Sequence, residues 1–223
     1  METNNRILIF DTETTGLLPK GDDANHIKNY PYITQLSYIV YDTKKQKEEY
    51  RFNSYINIGQ SIPLSDIVKE LTGVTREKLD AGMDILDALK TFYKHYITCG
   101  TIIAHNIDFD KKMLLVEIER HRETMQTHHP ECLALFNTFF EKSRNIQTYC
   151  TMNHGKGLCN IMVPSKTEGR PPYKKSPKLI ELYKHLFDNK EVEGLHNSMT
   201  DVLVCLQCYL KMRHNQVDVS LHV

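Results

Sequence analysis

The segment RILIFDTETTG, residues 6–16, closes a short apolar run with two carboxylates two residues apart, Asp11 and Glu13. The run Ile7–Phe10 has the length and composition of a central strand buried on both faces. Side chains alternate along a strand, so Asp11 and Glu13 project to the same side. Two acids at the end of a buried strand repel each other, and burial penalises both charges. The arrangement makes physical sense if a positive group sits between them. Further acids fall at element ends, where open α/β sheets carry their functional groups. IIAHNIDFDKKM breaks at His105-Asn106 and presents Asp108 and Asp110 at the head of a helix. GLHNSMTDVLVC places His196 just before a helix and Asp201 in its first turn.

These residues need elements to bring them together, and the pattern supplies them. Residues 17–31 are polar and turn-rich, a loop. Residues 32–42 and 48–58 read as strands joined by the polar TKKQKE, so the first three strands form an antiparallel meander. In the third, Tyr50, Phe52 and Ile56 alternate with Glu49, Arg51, Asn53 and Asn57. Residues 65–79 look like short helical pieces. Residues 84–97 form an amphipathic helix, with Asp84 as N-cap and Ile85, Leu89, Phe92 and Tyr96 along one stripe. A short apolar strand at 100–106 and a long helix from about Phe109 follow. A strand at 145–152 and helices at 177–187 and 198–213 complete the chain. Antiparallel strands followed by alternating helix and strand indicate an α/β domain with a mixed sheet flanked by helices.

The chain has 223 residues, enough for one large domain with a substantial core. Lysine plus arginine number 28, as do aspartate plus glutamate, so the net charge is zero. That argues against a broad basic face for long nucleic acid, though not against a local basic patch. No apolar run approaches the roughly 18 residues of a membrane span, and the first residues lack the shape of a signal peptide. Six scattered cysteines suit a reducing, intracellular compartment better than a disulfide framework. The expectation is an intracellular protein without membrane attachment, in cytoplasm, nucleus or virion.

FDTETTG, AHNIDFD and LHNSMTD, in that order, resemble the three motifs of the DEDDh (DnaQ-like) 3′–5′ exonucleases, of the ribonuclease H-like superfamily. The resemblance covers most of residues 5–212. It implies a single exonuclease domain over 1–223, with additions to the minimal fold at about 19–32, 124–146 and 164–178. It implies a ribonuclease H-like mixed sheet, three antiparallel strands and then parallel ones. The family spacing His-Asn-x-x-Phe-Asp puts the third acid at Asp110, not Asp108, and the last pair on His196 and Asp201. By resemblance, Asp11, Glu13, Asp110 and Asp201 hold two divalent cations, Mg2+ or Mn2+, and His196 is the general base. The implied substrate is a single-stranded 3′ end, DNA more than RNA, losing nucleoside 5′-monophosphates. An RNA-trimming enzyme is the alternative, and a non-catalytic subunit of a polymerase or repair complex is a third reading. A partner surface would lie near 19–32 or 131–142.

Substrate contacts implied by the resemblance are the turn Thr14-Thr15-Gly16, Leu17 as a wedge beside the last base, His105 and Asn106. Gly16 permits close backbone approach to a ligand, whereas Leu17 could equally be a core residue and Asn106 could equally satisfy local backbone. The loop at 166–178 carries Lys166, Arg170, Lys174, Lys175 and Lys178 against Glu168 alone, with Tyr173 available for stacking. Simple solvation is its alternative reading. Ser198 to Asp201 also fits a capping box, and Asp108 fits an N-cap or an exposed neighbour of Asp110. Cys205-x-x-Cys208 lies within a helix with no second pair at zinc spacing, so buried free thiols are expected.

Overall fold

The computed structural model describes residues 4–216. The chain runs β1 (Arg6–Thr14), two 3-10 turns in the loop that follows, β2 (Ile33–Asp42) and β3 (Lys47–Tyr55). Next come α1 (Asp66–Thr72), α2 (Arg76–Asp80), α3 (Ile85–Tyr96), β4 (Thr101–Ala104), α4 (Ile107–Arg120) and α5 (Arg122–His128). After them are α6 (Thr138–Arg144), β5 (Gln147–Cys150), α7 (Thr151–Cys159), β6 (Met162–Val163), β7 (Tyr173–Lys174), α8 (Leu179–Leu186) and α9 (Ser198–His214).

The main sheet has five strands in the order β3-β2-β1-β4-β5. β1 and β3 pair antiparallel with β2, while β4 lies parallel to β1 and β5 parallel to β4. This is the mixed sheet expected from the sequence, with β1 at its centre. β4 pairs with β1 only over Ile7–Ile9, and the chain leaves β4 at Ala104. β1 runs on to Thr14 beside β2 alone, with a register shift between Glu13 and Thr14. The acidic end of β1 thus borders the gap where the chain turns through His105-Asn106 into α4, at the carboxyl edge of the parallel strands.

Alternation along β1 divides the core. Leu8 and Phe10 pack in one cluster with Leu89, Phe92 and Tyr96 of α3 and Met113, Leu114 and Ile118 of α4. Ile7 and Ile9 pack on the opposite face with Met199, Val202, Leu203 and Leu206 of α9. The period of two carries this to the strand end: Asp11 and Glu13 belong to the α9 face and Thr12 to the α4 face. Asp84 caps α3 by accepting from the Leu86 N–H, and the stripe Ile85, Leu89, Phe92, Tyr96 is buried as its spacing requires.

The structure decides local alternatives that the sequence left open and adds elements that it did not mark. α9 is capped by Asn197, whose side chain accepts from the Met199 N–H, so Ser198 is not the cap of an S-x-x-D box. Ser198 instead shares a hydrogen bond with Ser37, and its N–H donates to Gln35. The N-cap position of α4 is Asn106, with a left-handed backbone, and Asp108 is the exposed neighbour of Asp110. Residues 151–159 form a helix, α7, that the sequence hid behind Gly155 and Gly157. Gly155 allows close packing there, because a Cβ at this position would stand 2.8 Å from Leu182 Cδ1 of α8. Within the loop expected at 166–178, Tyr173 and Lys174 form β7, which pairs antiparallel with Met162–Val163 of β6. Among the described residues no helix is long and apolar enough to cross a membrane.

Candidate active site

β1 and α9 bring three acids together. Asp11, Glu13 and Asp201 each offer a carboxylate oxygen, and these oxygens lie within 4.8 Å of one another. The position of Asp201 follows from the docking of α9. Ser198 reaches β2 through Ser37 and Gln35, both of which also hydrogen-bond Asn53 of β3 at 2.8 Å. This buried polar network anchors the first turn of α9, the turn that carries Asp201. No motif marks it, since isolated Gln, Ser and Asn on strands carry no spacing signal.

Asp110 arrives from the other side. It lies in the first turn of α4, 3% exposed, and its Oδ1 accepts the Thr12 N–H at 3.0 Å and the Thr12 hydroxyl at 2.8 Å. Asp108, two residues earlier, is exposed.

The electrostatics are those of a site with too much negative charge. Burial raises Asp11 well above the carboxylate range, and Asp110, Asp201 and Glu13 raise it further. Glu13 is pushed up to about 8 by burial, then by Asp201 and Asp110. Asp110 goes up to about 7 through burial, opposed by its two bonds from Thr12. Asp201 also goes up to about 7 through burial, opposed by a hydrogen bond from the His196 backbone. Among the described residues no basic side chain lowers any of the four. Asp201 Oδ1 is buried with no hydrogen-bond partner. A buried lone pair without a donor is costly, and here it belongs to a cluster made only of hard oxygen donors. The residues therefore fit divalent cations, which prefer such ligands.

Beside the acids lies a groove of about 410 Å3. Glu13, the Thr14–Leu17 turn and His196 form one part of its lining, and Ile67, Leu71 and Phe109 contribute to the rest. His196 is exposed and has a positive φ of 68°, uncommon for a residue with a side chain. The hydroxyls of Thr14 and Thr15 are spent on the turn itself: Thr14 donates to the Gly16 carbonyl at 2.7 Å, and Thr15 Oγ1 accepts the Tyr32 N–H at 3.0 Å. Gly16 has no positive φ and nothing within 4 Å of where a Cβ would stand, so it offers open backbone. Leu17 is 86% exposed and is no core residue. Ile67, at 69%, and Leu71, at 54%, are equally unspent, and sequence reasoning missed both. Their signal was an apolar i, i+4 pair beside Val68, the buried residue of the same short helix.

The remaining candidates sit further back. His105 has both ring nitrogens engaged, Nδ1 with Thr151 Oγ1 at 3.0 Å and Nε2 with the Pro177 carbonyl at 3.1 Å. Burial pulls it down to about 4, so it is a neutral imidazole joining the end of β4 to α7 and to the chain leaving β7. Asn106 is exposed in the left-handed region, with no capping bond from its side chain. Lys174 is half-buried in β7, and Lys175 is paired with Glu181 at 2.6 Å. Cys205 and Cys208 point into different apolar clusters, one against the sheet and one against α8.

Comparison with known proteins agrees with this geometry. A family model described as Exonuclease matches residues 8–209. The chain is 26% identical over 147 residues to the PolC-type DNA polymerase III of Bacillus subtilis, a match covering 64% of this chain and 9% of that protein. It is 27% identical over 107 residues to a DNA polymerase III subunit epsilon-like protein of Rhodobacter capsulatus, covering 48% of this chain and 14% of that one. Among solved structures it is similar to the nuclease domain of 3′hExo, a DEDDh family member, bound to rAMP: TM-score 0.62, 16% identity, 99% of this chain and 97% of that one. E. coli Exonuclease I in complex with a dA16 oligonucleotide gives a TM-score of 0.62 at 13% identity, covering 96% of this chain and 42% of that one. The chain belongs to the exonuclease family, and it shares its fold with these two nucleases. Divalent metals serve this family, and the acidic cluster present fits them.

Proposed function

We propose that this chain is a metal-dependent exonuclease that removes nucleoside 5′-monophosphates one at a time from single-stranded 3′ ends, DNA in preference to RNA. The observation that carries the reading is the trio of Asp11, Glu13 and Asp201, whose carboxylate oxygens lie within 4.8 Å of one another, with Asp201 also holding a buried oxygen that has no hydrogen-bond partner among the described residues. Asp11, Glu13 and Asp201, with Asp110 behind Thr12, would hold two Mg2+ or Mn2+ ions, which when bound activate water and neutralise charge on the attacked phosphate and the leaving oxygen. His196 takes the proton from the attacking water, a task for an imidazole near neutral pH. The open backbone at Gly16 approaches the terminal nucleotide closely. Leu17, Ile67, Leu71 and Phe109 give its base apolar surface to rest on, which tolerates any sequence because every base has an apolar face.

The sequence likeness to bacterial DNA polymerase III proteins supports DNA as substrate and a polymerase or repair complex as the setting. A second reading, an RNA 3′–5′ exonuclease, is favoured by the near-complete structural overlap with the nuclease domain bound to rAMP. Matched 5′-labelled DNA and RNA strands decide between them in one time course with Mg2+ or Mn2+. The proposal expects a ladder shortening from the 3′ end with mononucleotide product, faster on DNA. Faster loss of the RNA strand overturns the sugar preference. No shortening of either strand by folded protein overturns the catalytic reading and leaves a non-catalytic subunit in its place.

A further inference from the structure

Glu117 and Arg120 form a buried ion pair on α4 that no step of the chemistry uses. Their side chains are 3% and 9% exposed, with 2.7 Å between Arg120 Nη1 and Glu117 Oε1. Both reach across to the chain that enters β2. Glu117 Oε1 accepts the Ile33 N–H at 3.1 Å, Arg120 Nη2 donates to the Tyr30 carbonyl, and the guanidinium lies 3.7 Å from the centre of the Tyr32 ring. Tyr32 is in turn locked to the substrate turn: its carbonyl accepts the Thr15 N–H at 2.9 Å, and its N–H donates to the Thr15 hydroxyl at 3.0 Å.

Besides Tyr32, the Thr15–Leu17 turn is held by the Thr14 hydroxyl on the Gly16 carbonyl and by the packing of Leu18 that follows it. Leu17 is largely solvent-exposed, and Gly16 has open space beside it. Concavities lie on both sides of the turn. One is the catalytic groove; the other, of about 370 Å3, is walled by Thr15–Leu17 together with Lys28–Tyr32, Ile62 and Pro63. The turn is therefore a ridge whose position is set through Tyr32. α4 carries both ends of this linkage, Asp110 in its first turn and Glu117 seven residues later. A buried ion pair is weak evidence for stability, since apolar side chains of similar volume often serve as well. What a forked, stacked guanidinium supplies is fixed geometry.

We propose that Glu117 and Arg120 are a positioning pair: through Tyr30–Ile33 and Thr15 they set where the Leu17 ridge stands relative to Asp110, and so how the 3′-terminal nucleoside is gripped. The inference rests on the exonuclease reading of the site. It makes recognition of the last base, rather than the hydrolytic step, the property that the pair controls.

The test compares two single strands, one ending in an ordinary 3′ nucleotide and one in an abasic 3′ residue, with wild type, Arg120→Met and the double variant Glu117→Gln/Arg120→Met. The double variant strands no charge and covers the case in which Arg120→Met fails to fold. KM and kcat are measured with Mn2+, and binding of both strands is measured by fluorescence anisotropy with EDTA present. Wild type should favour the ordinary end through KM and through binding. In the variants that preference should shrink by about tenfold, the worth of roughly 1.4 kcal/mol of positioned contact, while kcat on the abasic end stays within about threefold. An ordinary-to-abasic ratio equal to wild type in the folded double variant, whatever its melting temperature, makes the pair a structural fastening and overturns the inference. A wild type that binds both strands and shortens neither defeats the exonuclease reading instead, and the binding ratio still decides the role of the pair.

Discussion

Thr12 holds Asp110 by two donors at once, its backbone N–H at 3.0 Å and its hydroxyl at 2.8 Å, both on Oδ1. The contact joins the two faces of the sheet, because Thr12 points toward α4 while Asp11 and Glu13 point toward α9. One strand thus presents two acids itself and grips a third that arrives on a helix. Both bonds favour the charged form of a carboxyl that burial would otherwise neutralise.

Thr12→Val removes one of those donors at similar side-chain volume. The expected cost in stability is about 1 kcal/mol, that of a buried hydrogen bond to a charged group partly replaced by the remaining one. The expected loss in kcat is about tenfold with little change in KM, because the proposed function has Asp110 serve the reacting centre and not the base. Steady-state kinetics beside a melting curve separate the two effects. A kcat equal to wild type would show that the hydroxyl is idle.

The raised carboxyls make a signed prediction for the metal-free protein. Glu13 at about 8 and Asp110 and Asp201 at about 7 hold protons that the unfolded chain, with carboxyls near 4, has already released. Between those values the folded state binds more protons than the unfolded state, so stability falls as pH rises. His105, pulled down to about 4, acts in the opposite direction, but its contribution is complete above roughly pH 6.5. In EDTA the melting temperature should therefore drop from pH 6.5 to 8.5. Mn2+ should recover more of it at the higher pH, and Asp11→Asn should melt higher than wild type at pH 8.5 without metal. A metal-free melting temperature that climbs across this window would contradict the site electrostatics.

Leu17 tests the groove without touching the core. With 86% of the residue exposed, Leu17→Ala should leave the melting temperature unchanged. It should raise KM roughly tenfold, within the 1–3 kcal/mol typical of a base contact. Leu71→Ala, in the lining of the same groove, should act in the same direction. A KM unchanged in both variants would remove the groove from substrate binding.

Cysteine reactivity is equally specific. Cys99, Cys132, Cys150, Cys205 and Cys208 are buried and Cys159 is partly exposed. Burial pushes the Cys208 thiol up and holds Cys205 well above its usual range. Brief alkylation of the folded protein should therefore label Cys159 first, and mass spectrometry of the peptides checks it. Early labelling of Cys205 or Cys208 would mean that α9 is less firmly docked than its packing indicates.

Much of this site was legible before any coordinates, for a physical reason. Asp11 and Glu13 share one phase of a strand, which the period of two reports directly, whereas Asp201 joined them through the resemblance of its motif to the family's. The mixed character of the sheet was legible too, since apolar runs bounded by turns mark strands and the spacing between them separates hairpins from crossovers. What escaped depends on partners distant in sequence. Thr12 reads as an ordinary strand residue until α4 is laid over it. Ser37, Gln35 and Asn53 gain meaning only once Ser198 docks on them. α7 was missed because Gly155 and Gly157 lower helix propensity, while the need for a small residue against Leu182 is tertiary. Ser198 has the capping-box spacing to Asp201, but Asn197, one residue earlier, holds the role.

The central claim is that the acids at the end of β1 hold the metal that the chemistry needs. The direct measurement is Mn2+ binding by calorimetry alongside a 3′-end shortening assay on one 5′-labelled strand, for wild type and for Asp11→Asn shown to be folded. The expected result is a binding isotherm and a ladder for wild type, and loss of both in the variant. A folded Asp11→Asn protein that still binds Mn2+ as wild type does, and still shortens the strand, would contradict the account.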